Sequence, residues 1–205
     1  MSLKTIIVDF DNTIADTASR IIDYFPNYEP KNQETYIFSG EFSDAINLYG
    51  NGEFYDQNLL LLNFQVVQYI VEECKKEPTR IIFISSCMNE ETRKSKVDFL
   101  ERFGDSYFSE AIELNYEMIK VGKIESRDVY EFFNLYDSDK EVIAIDDFEE
   151  RLRGYVELGS DELKIVAIEH PYSREFVMSM KTYMSEILFP NYILWLKTIS
   201  IGDDK

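Results

Sequence analysis

Four short apolar runs punctuate the chain: Lys4 to Asp9 (KTIIVD), Arg80 to Ser85 (RIIFIS), Val142 to Asp146 (VIAID) and Lys164 to Ile168 (KIVAI). They are rich in β-branched residues and do not alternate with polar ones. That pattern predicts strands of a parallel sheet covered on both faces. Ala111 to Leu114 is a weaker candidate for a further strand. Between the runs the apolar positions change to a spacing of three and four. Leu59, Leu62, Val66, Tyr69 and Ile70 predict a helix with Asp56 as its N-cap. Thr92 to Phe103 carries Val97, Leu100 and Phe103 on one face, and Val129, Phe132, Phe133 and Tyr136 mark another helix. Near the C-terminus Phe176, Met180, Tyr183 and Ile187 form a helical stripe that Pro190 ends. Strands alternating with helices predict an α/β fold with a doubly wound, Rossmann-like parallel sheet.

The stretch from Thr17 to Glu53 breaks this rhythm. It is rich in Tyr, Phe, Asn, Asp and Gly and carries no strong periodicity. It reads as an insertion of short helices and loops after the first strand. The length of 205 residues suits one domain with a small appendage. The division expected is a core of residues 1–16 plus 79–205 and a small helical insertion at 17–78.

Charge narrows the function. Lys and Arg number 21 and Asp and Glu 39, so the net charge is 21 − 39 = −18. A field of that sign repels polyphosphate backbones and argues against a nucleic-acid polymer as partner. It leaves room for a small phosphate ester whose charge a metal ion bridges. Two cysteines, Cys74 and Cys87, are too few for a disulfide scaffold, and no apolar run approaches the ~18 residues that span a bilayer. The N-terminus enters a strand at once, with no signal-peptide core. A soluble, cytoplasmic protein is expected. The single histidine, His170, makes His-rich zinc sites and His-based triads improbable, so chemistry must rest on carboxylates, hydroxyls and lysines.

Ligands of open α/β sheets sit beyond the carboxyl ends of the strands. There the first strand delivers Asp9, followed by Phe10-Asp11-Asn12-Thr13; the second delivers Ser85-Ser86-Cys87; Val142 to Asp146 delivers Asp146-Asp147. Lys120 and Lys123 precede the helix before that last strand. Four carboxylates packed together repel one another unless a cation compensates them. An all-oxygen set suits magnesium, which takes a few carboxylates and keeps several waters. One carboxylate can then attack phosphorus, and a second can protonate the leaving oxygen and later activate water.

This order of residues closely resembles the haloacid dehalogenase-like superfamily of phosphohydrolases. Its first motif, Asp-x-Asp-x-Thr after an apolar strand, is matched by Asp9-Phe10-Asp11-Asn12-Thr13; its strand-ending hydroxyl by Ser85 or Ser86; its acidic pair by Asp146-Asp147. Lys123 is the first choice for the family's lysine and Lys120 the second. The resemblance covers roughly residues 4–150. It implies Asp9 as nucleophile and magnesium ligand, and Asp11 as general acid/base with its backbone carbonyl on the metal. It implies Thr13, Ser85 and Ser86 as substrate contacts and Lys123 as partner of nucleophile and phosphoryl group. Asp146 would ligate the metal directly, Asp147 directly or through water. Caps inserted after the first motif select substrate in this family, and residues 17–78 occupy that place. Asp16, Ser85-Ser86 and His170-Pro171-Tyr172 resemble the 5'(3')-deoxyribonucleotidase-like branch, which usually has Gly where this chain has Asn12. A nucleoside monophosphate or another small phosphate ester is the substrate so implied.

Two rival readings stand beside this one. Cys87 and Arg93 have the Cys-x5-Arg spacing of cysteine-dependent phosphatases, although Glu90 and Glu91 would raise the thiol pKa and no glycine lets the loop wrap an oxyanion. The other is a non-catalytic protein that keeps the fold and binds metal or ligand at the acidic site. The complete first motif argues against it.

Overall fold

The computed structural model describes residues 3–17, 20, 47, 49–55, 60–137, 141–170 and 173–189. Six parallel strands form one sheet in the order β3-β2-β1-β4-β5-β6. They are β1 (Lys4–Asp9), β2 (Thr79–Cys87), β3 (Glu113–Val121), β4 (Val142–Asp146), β5 (Leu163–Ile168) and β6 (Glu186–Leu188). The described helices are α1 (Phe64–Lys76), α2 (Glu90–Tyr107), α3 (Ser126–Phe132), α4 (Glu149–Leu158) and α5 (Arg174–Ser179). This is the doubly wound α/β fold that the apolar runs predict.

The two faces of the sheet sort by residue parity. Ile6, Val8, Ile81, Phe83, Ile143 and Ile145 bury one face with Val66, Val67 and Ile70 of α1 and Phe99 and Leu100 of α2. Ile7, Ile82, Ile84, Ala144 and Ile165 bury the other with Val129 and Tyr130 of α3, Leu152 and Tyr155 of α4 and Val177 of α5. Successive strand residues face opposite sides, so a run without alternation is what two covered faces require.

The outer elements depart from the pattern's forecast. β3 runs to Val121, well past Leu114, and most of its residues are only partly buried. It is an edge strand, which lacks the continuous apolar run of a central one. The α1 helix starts at Phe64 with Asn63 as N-cap. Asn63 N donates to Ile14 O at 2.9 Å and Asp16 N to Leu61 O at 2.8 Å, so residues 61–63 pair with the loop after β1 and do not wind. Asp56 and Leu59 lie outside the described residues, as does much of the expected insertion at 17–78. The stripe from Phe176 to Ile187 splits into α5, a 3-10 turn at Lys181–Tyr183 and β6. Its three-residue strand is too short to show a period of two, and Pro190 lies outside the described residues.

Candidate active site

Asp9 ends β1 next to the sheet's centre and is 2% exposed. The chain then folds back in a tight loop, with Ile14 N donating to Asp9 O at 3.2 Å and Ala15 N to Phe10 O at 3.0 Å. Asn12 carries the turn with φ +59°, a left-handed conformation that Gly and Asn adopt more readily than other residues. Its side-chain oxygen accepts from Thr17 Oγ1 at 2.8 Å, and its carbonyl meets His170 Nε2 at 2.7 Å. Burial pushes the His170 pKa down to about 4, so the imidazole is neutral and Nε2–H donates to that carbonyl. The loop that aims Asp9, Asp11 and Thr13 is thereby pinned from two sides.

The two serines ending β2 separate, as consecutive strand residues must. Ser85 is buried and its Oγ lies 3.3 Å from Asp11 Oδ2. Ser86 turns away, and its Oγ accepts from Ile124 N at 3.1 Å. Thr13 Oγ1 donates to Asp147 Oδ1 at 3.3 Å, which ties the first loop to the end of β4. Asp146 is fully buried, and its Oδ1 accepts from Phe148 N at 2.8 Å.

Asp9, Asp146 and Asp147 each place a carboxylate oxygen so that the three lie within 4.8 Å of one another. The Asp11 side chain stands outside this trio and pairs with Lys96, Nζ to Oδ2 at 2.5 Å. One oxygen of each first-motif aspartate, Asp9 Oδ2 and Asp11 Oδ1, is buried without a hydrogen-bond partner. Burial holds the Asp9 carboxyl well above the ordinary carboxylate range; Arg151 pulls it down, and Asp146, Asp147 and Asp11 push it up again. Three hard oxygen donors around an unsatisfied buried carboxylate oxygen fit a magnesium ion, which coordinates a few carboxylates and completes its shell with water. Asp9, Asp146 and Asp147 would hold it.

Two cations stand where the spacing placed none. Lys96, on the buried face of α2, also donates to Ser85 Oγ at 2.8 Å, and its ammonium lies 4.7 Å from the Tyr55 ring centre and 5.2 Å from that of Phe10. Arg151, in the first turn of α4, bridges Asp9 Oδ1 at 2.5 Å and Asp146 Oδ2 at 2.6 Å. Lys96 does leave a trace in the sequence, because it falls at helical spacing on the same face as Thr92, Phe99 and Leu100, all of which are buried. Arg151 leaves a fainter one, five residues after Asp146 and within reach of it only if a helix starts at once.

Lys123 and Lys120 are not brought to the carboxylates. β3 lies beyond β2 from β1, and Gly122 turns the chain outward with φ +100°. Lys123 is more than half exposed, and its Nζ pairs with Glu150 at 2.5 Å and Glu125 at 3.3 Å. Those partners, Glu150 first, raise its pKa. Lys120 Nζ sits 4.6 Å from the centre of the Phe132 ring. Cys87 is buried with Sγ 3.8 Å from Ser85 O, and burial pushes the thiol pKa up, the reverse of what a thiolate nucleophile needs.

No family model matches the sequence, and no curated protein matches it as a relative. Solved structures do match in fold. A haloacid dehalogenase-like family hydrolase from Streptococcus pneumoniae superposes with a TM-score of 0.53 at 13% identity, covering 98% of this chain and 99% of that one. A structure described as a haloacid dehalogenase-like hydrolase from Bacteroides fragilis gives 0.55 at 13% identity, covering 95% and 99%. Protein Tyrosine Kinase A from Mycobacterium tuberculosis gives 0.52 at 16%, covering 97% and 98%. The chain has the haloacid dehalogenase-like fold. A fold shared by chains described as hydrolases and one described as a kinase does not choose the reaction, so the chemistry must be argued from the site.

Proposed function

We propose that the protein is a magnesium-dependent phosphomonoester hydrolase that works through an aspartyl-phosphate on Asp9. The observation that carries this is the unsatisfied, buried Asp9 Oδ2 in the trio of Asp9, Asp146 and Asp147, with Asp11 two residues on held by Ser85 and Lys96. Such an oxygen lacks the hydrogen bonds that would quench it as a nucleophile, and its surroundings favour incoming positive charge followed by a phosphoryl group.

Asp9 Oδ2 attacks phosphorus, the bond from phosphorus to the ester oxygen breaks, and the leaving oxygen takes the proton of the Asp11 carboxyl. Asp11 then takes a proton from water as the water oxygen attacks phosphorus and the bond to Asp9 breaks. Free phosphate leaves and Asp11 is again protonated. Lys96 Nζ, 2.5 Å from Asp11 Oδ2 and 2.8 Å from Ser85 Oγ, holds the acid/base in place and presents positive charge to the phosphoryl oxygens. Ser85 Oγ and Thr13 Oγ1 are the hydroxyls at hand for those oxygens. A bound magnesium ion would neutralise the charge of the carboxylates and the phosphoryl group.

The insertion between β1 and α1 follows directly on the Asp9–Thr13 loop, and as a cap it would select the leaving group. A nucleoside monophosphate comes first and a sugar phosphate second. The acidic balance of the chain favours such small esters over polymers. The test is turnover of an aryl phosphate and a nucleotide panel by wild type and Asp9→Asn, with magnesium and with EDTA. Turnover that needs magnesium and vanishes in Asp9→Asn is expected. Turnover that survives both overturns the aspartate mechanism; bound magnesium without turnover of any substrate replaces it with a binding role.

A further inference from the structure

The carboxylate centre already contains a cation of its own. Arg151 is 12% exposed in its side chain, donates from Nε to Asp146 Oδ2 at 2.6 Å and from Nη2 to Asp146 Oδ1 at 3.3 Å, and meets Asp9 Oδ1 at 2.5 Å. Asp9 and Asp146 are two of the three residues that converge for a metal. We propose that Arg151 is a resident counter-ion of this centre that a divalent cation must displace, so that its departure sets the protein's metal affinity. The proposal rests on the metal-site reading above.

A planar guanidinium with several donors can bridge two carboxylates in this way, with two bonds to one and one to the other. It cannot remain there beside a magnesium ion. The two cations would claim the same carboxylates and repel one another within a few ångströms in a largely buried site. One guanidinium also fails to satisfy the centre, since Asp9 Oδ2 stays without a partner beside it. The arginine therefore holds the carboxylates in place without completing their coordination.

The structure also offers Arg151 somewhere to go. A cleft of about 440 Å³ between α3 and α4 is lined by Arg151 itself together with Glu125, Glu150 and Glu157. Glu125 and Glu150 already pair with Lys123, so the guanidinium would share them or turn to Glu157. Phe148, whose ring centre lies 5.4 Å from the guanidinium carbon, also lines the cleft, so the arginine can swing outward over an aromatic face. Metal binding and the arginine's exit are then one equilibrium, and removing the arginine removes the work of expelling it.

The experiment is calorimetric titration of the full chain with magnesium chloride, for wild type and Arg151→Met. The variant is expected to bind magnesium about 10-fold or more tightly than wild type. In wild type the Arg151 Nε–H nuclear magnetic resonance signal is expected to move as magnesium saturates. Equal or weaker affinity in the variant overturns the proposal. So does saturation of wild type with the Arg151 signal unmoved, a readout that decides the matter even if Arg151→Met does not fold. Magnesium binding to neither protein overturns the metal-site reading as well. Turnover enters none of these measurements, so failure of the phosphatase reading shows separately.

Discussion

The two ends of β1 both carry buried charge, and they are settled differently. At the start of the strand, Lys4 Nζ is buried between Glu73 and Glu141, with Glu77 at 3.9 Å; Lys76 and Lys164 cap the outer sides of Glu73 and Glu141. Three lysines face three glutamates. Burial alone would lower the Lys4 pKa, but its hydrogen bonds to Glu73 and Glu141 raise it, and the same lysines lower the pKa values of those two glutamates. At the other end, among the described residues, Asp9 and Asp146 share Arg151, Asp11 pairs with Lys96, and Asp9 Oδ2 and Asp11 Oδ1 are buried without hydrogen-bond partners. A balanced cluster stabilises the fold and asks for nothing further. One on the same strand that leaves buried carboxylate oxygens unpartnered stores a demand for a ligand, and that difference separates architecture from candidate site.

The largest effect separates the two ends by activity. Asp9→Asn is expected to lower turnover at least ~10³-fold, the scale on which covalent nucleophiles act. In the metal-free protein the same change should not lower the melting temperature, because a neutral amide relieves repulsion from Asp11, Asp146 and Asp147. Lys4→Met should do the reverse. It leaves Glu73 and Glu141 facing each other around a buried position and should cost about 3 kcal/mol of stability in urea unfolding, with turnover per folded molecule unchanged. If Asp9→Asn destabilised the metal-free protein as strongly as Lys4→Met, the contrast between the two ends would collapse.

A smaller effect tests which lysine belongs to the site. Lys96→Met should lower kcat/KM about 10²-fold by removing a preorganised charge from Asp11 and Ser85. Lys123→Met should change it by less than about 3-fold, because an exposed lysine paired with surface glutamates contributes little. Steady-state kinetics on one substrate decides between them, and the reverse ranking would return the role to Lys123.

These two lysines show where the sequence stops being readable. The central strands were legible because a strand covered on both faces has to be apolar at every position, and the carboxylates were legible because each follows directly on such a strand. Position along the chain does not say where a long side chain goes. Lys123 precedes α3 as its place in the chain suggests, but Glu125, the N-cap of α3, and Glu150 on α4 hold its ammonium at the surface. Lys96 sits eleven residues beyond Ser85 in a helix that reads as amphipathic, and only its burial beside Phe10 and Tyr55 shows that it serves the sheet edge. Arg151 reads as one of several charges on α4 until the fold sets it between Asp9 and Asp146. Edge strands escape for a related reason. β6 has three residues and β3 is partly exposed, so neither needs the apolar run that identifies a central strand.

The smallest effect is a pH dependence that belongs to the site's frame and not to its carboxylates. His170 is buried, and its pKa is lowered from 6.5 to about 4 by that burial, while its bond to the Asn12 carbonyl pulls the other way. In the unfolded chain the imidazole takes a proton near its ordinary pKa; in the folded chain it resists until much lower pH. The unfolded state therefore binds more protons between the two values, and stability rises with pH across that window. The stabilisation is present above about pH 6.5 and is lost as pH falls toward 4. From pH 7 to pH 5 the loss from this group is about 2 kcal/mol. His170→Gln can still donate to Asn12 O but cannot titrate, so its stability should fall less over the same interval. Urea midpoints of the two proteins at pH 7, 6 and 5 measure the difference. Parallel curves would mean that the folded imidazole titrates with the same pKa as the unfolded one, and below that pKa the clamp on the Asp9–Thr13 loop would be a cation facing Asp147 at 3.9 Å and part of the site's charge balance after all.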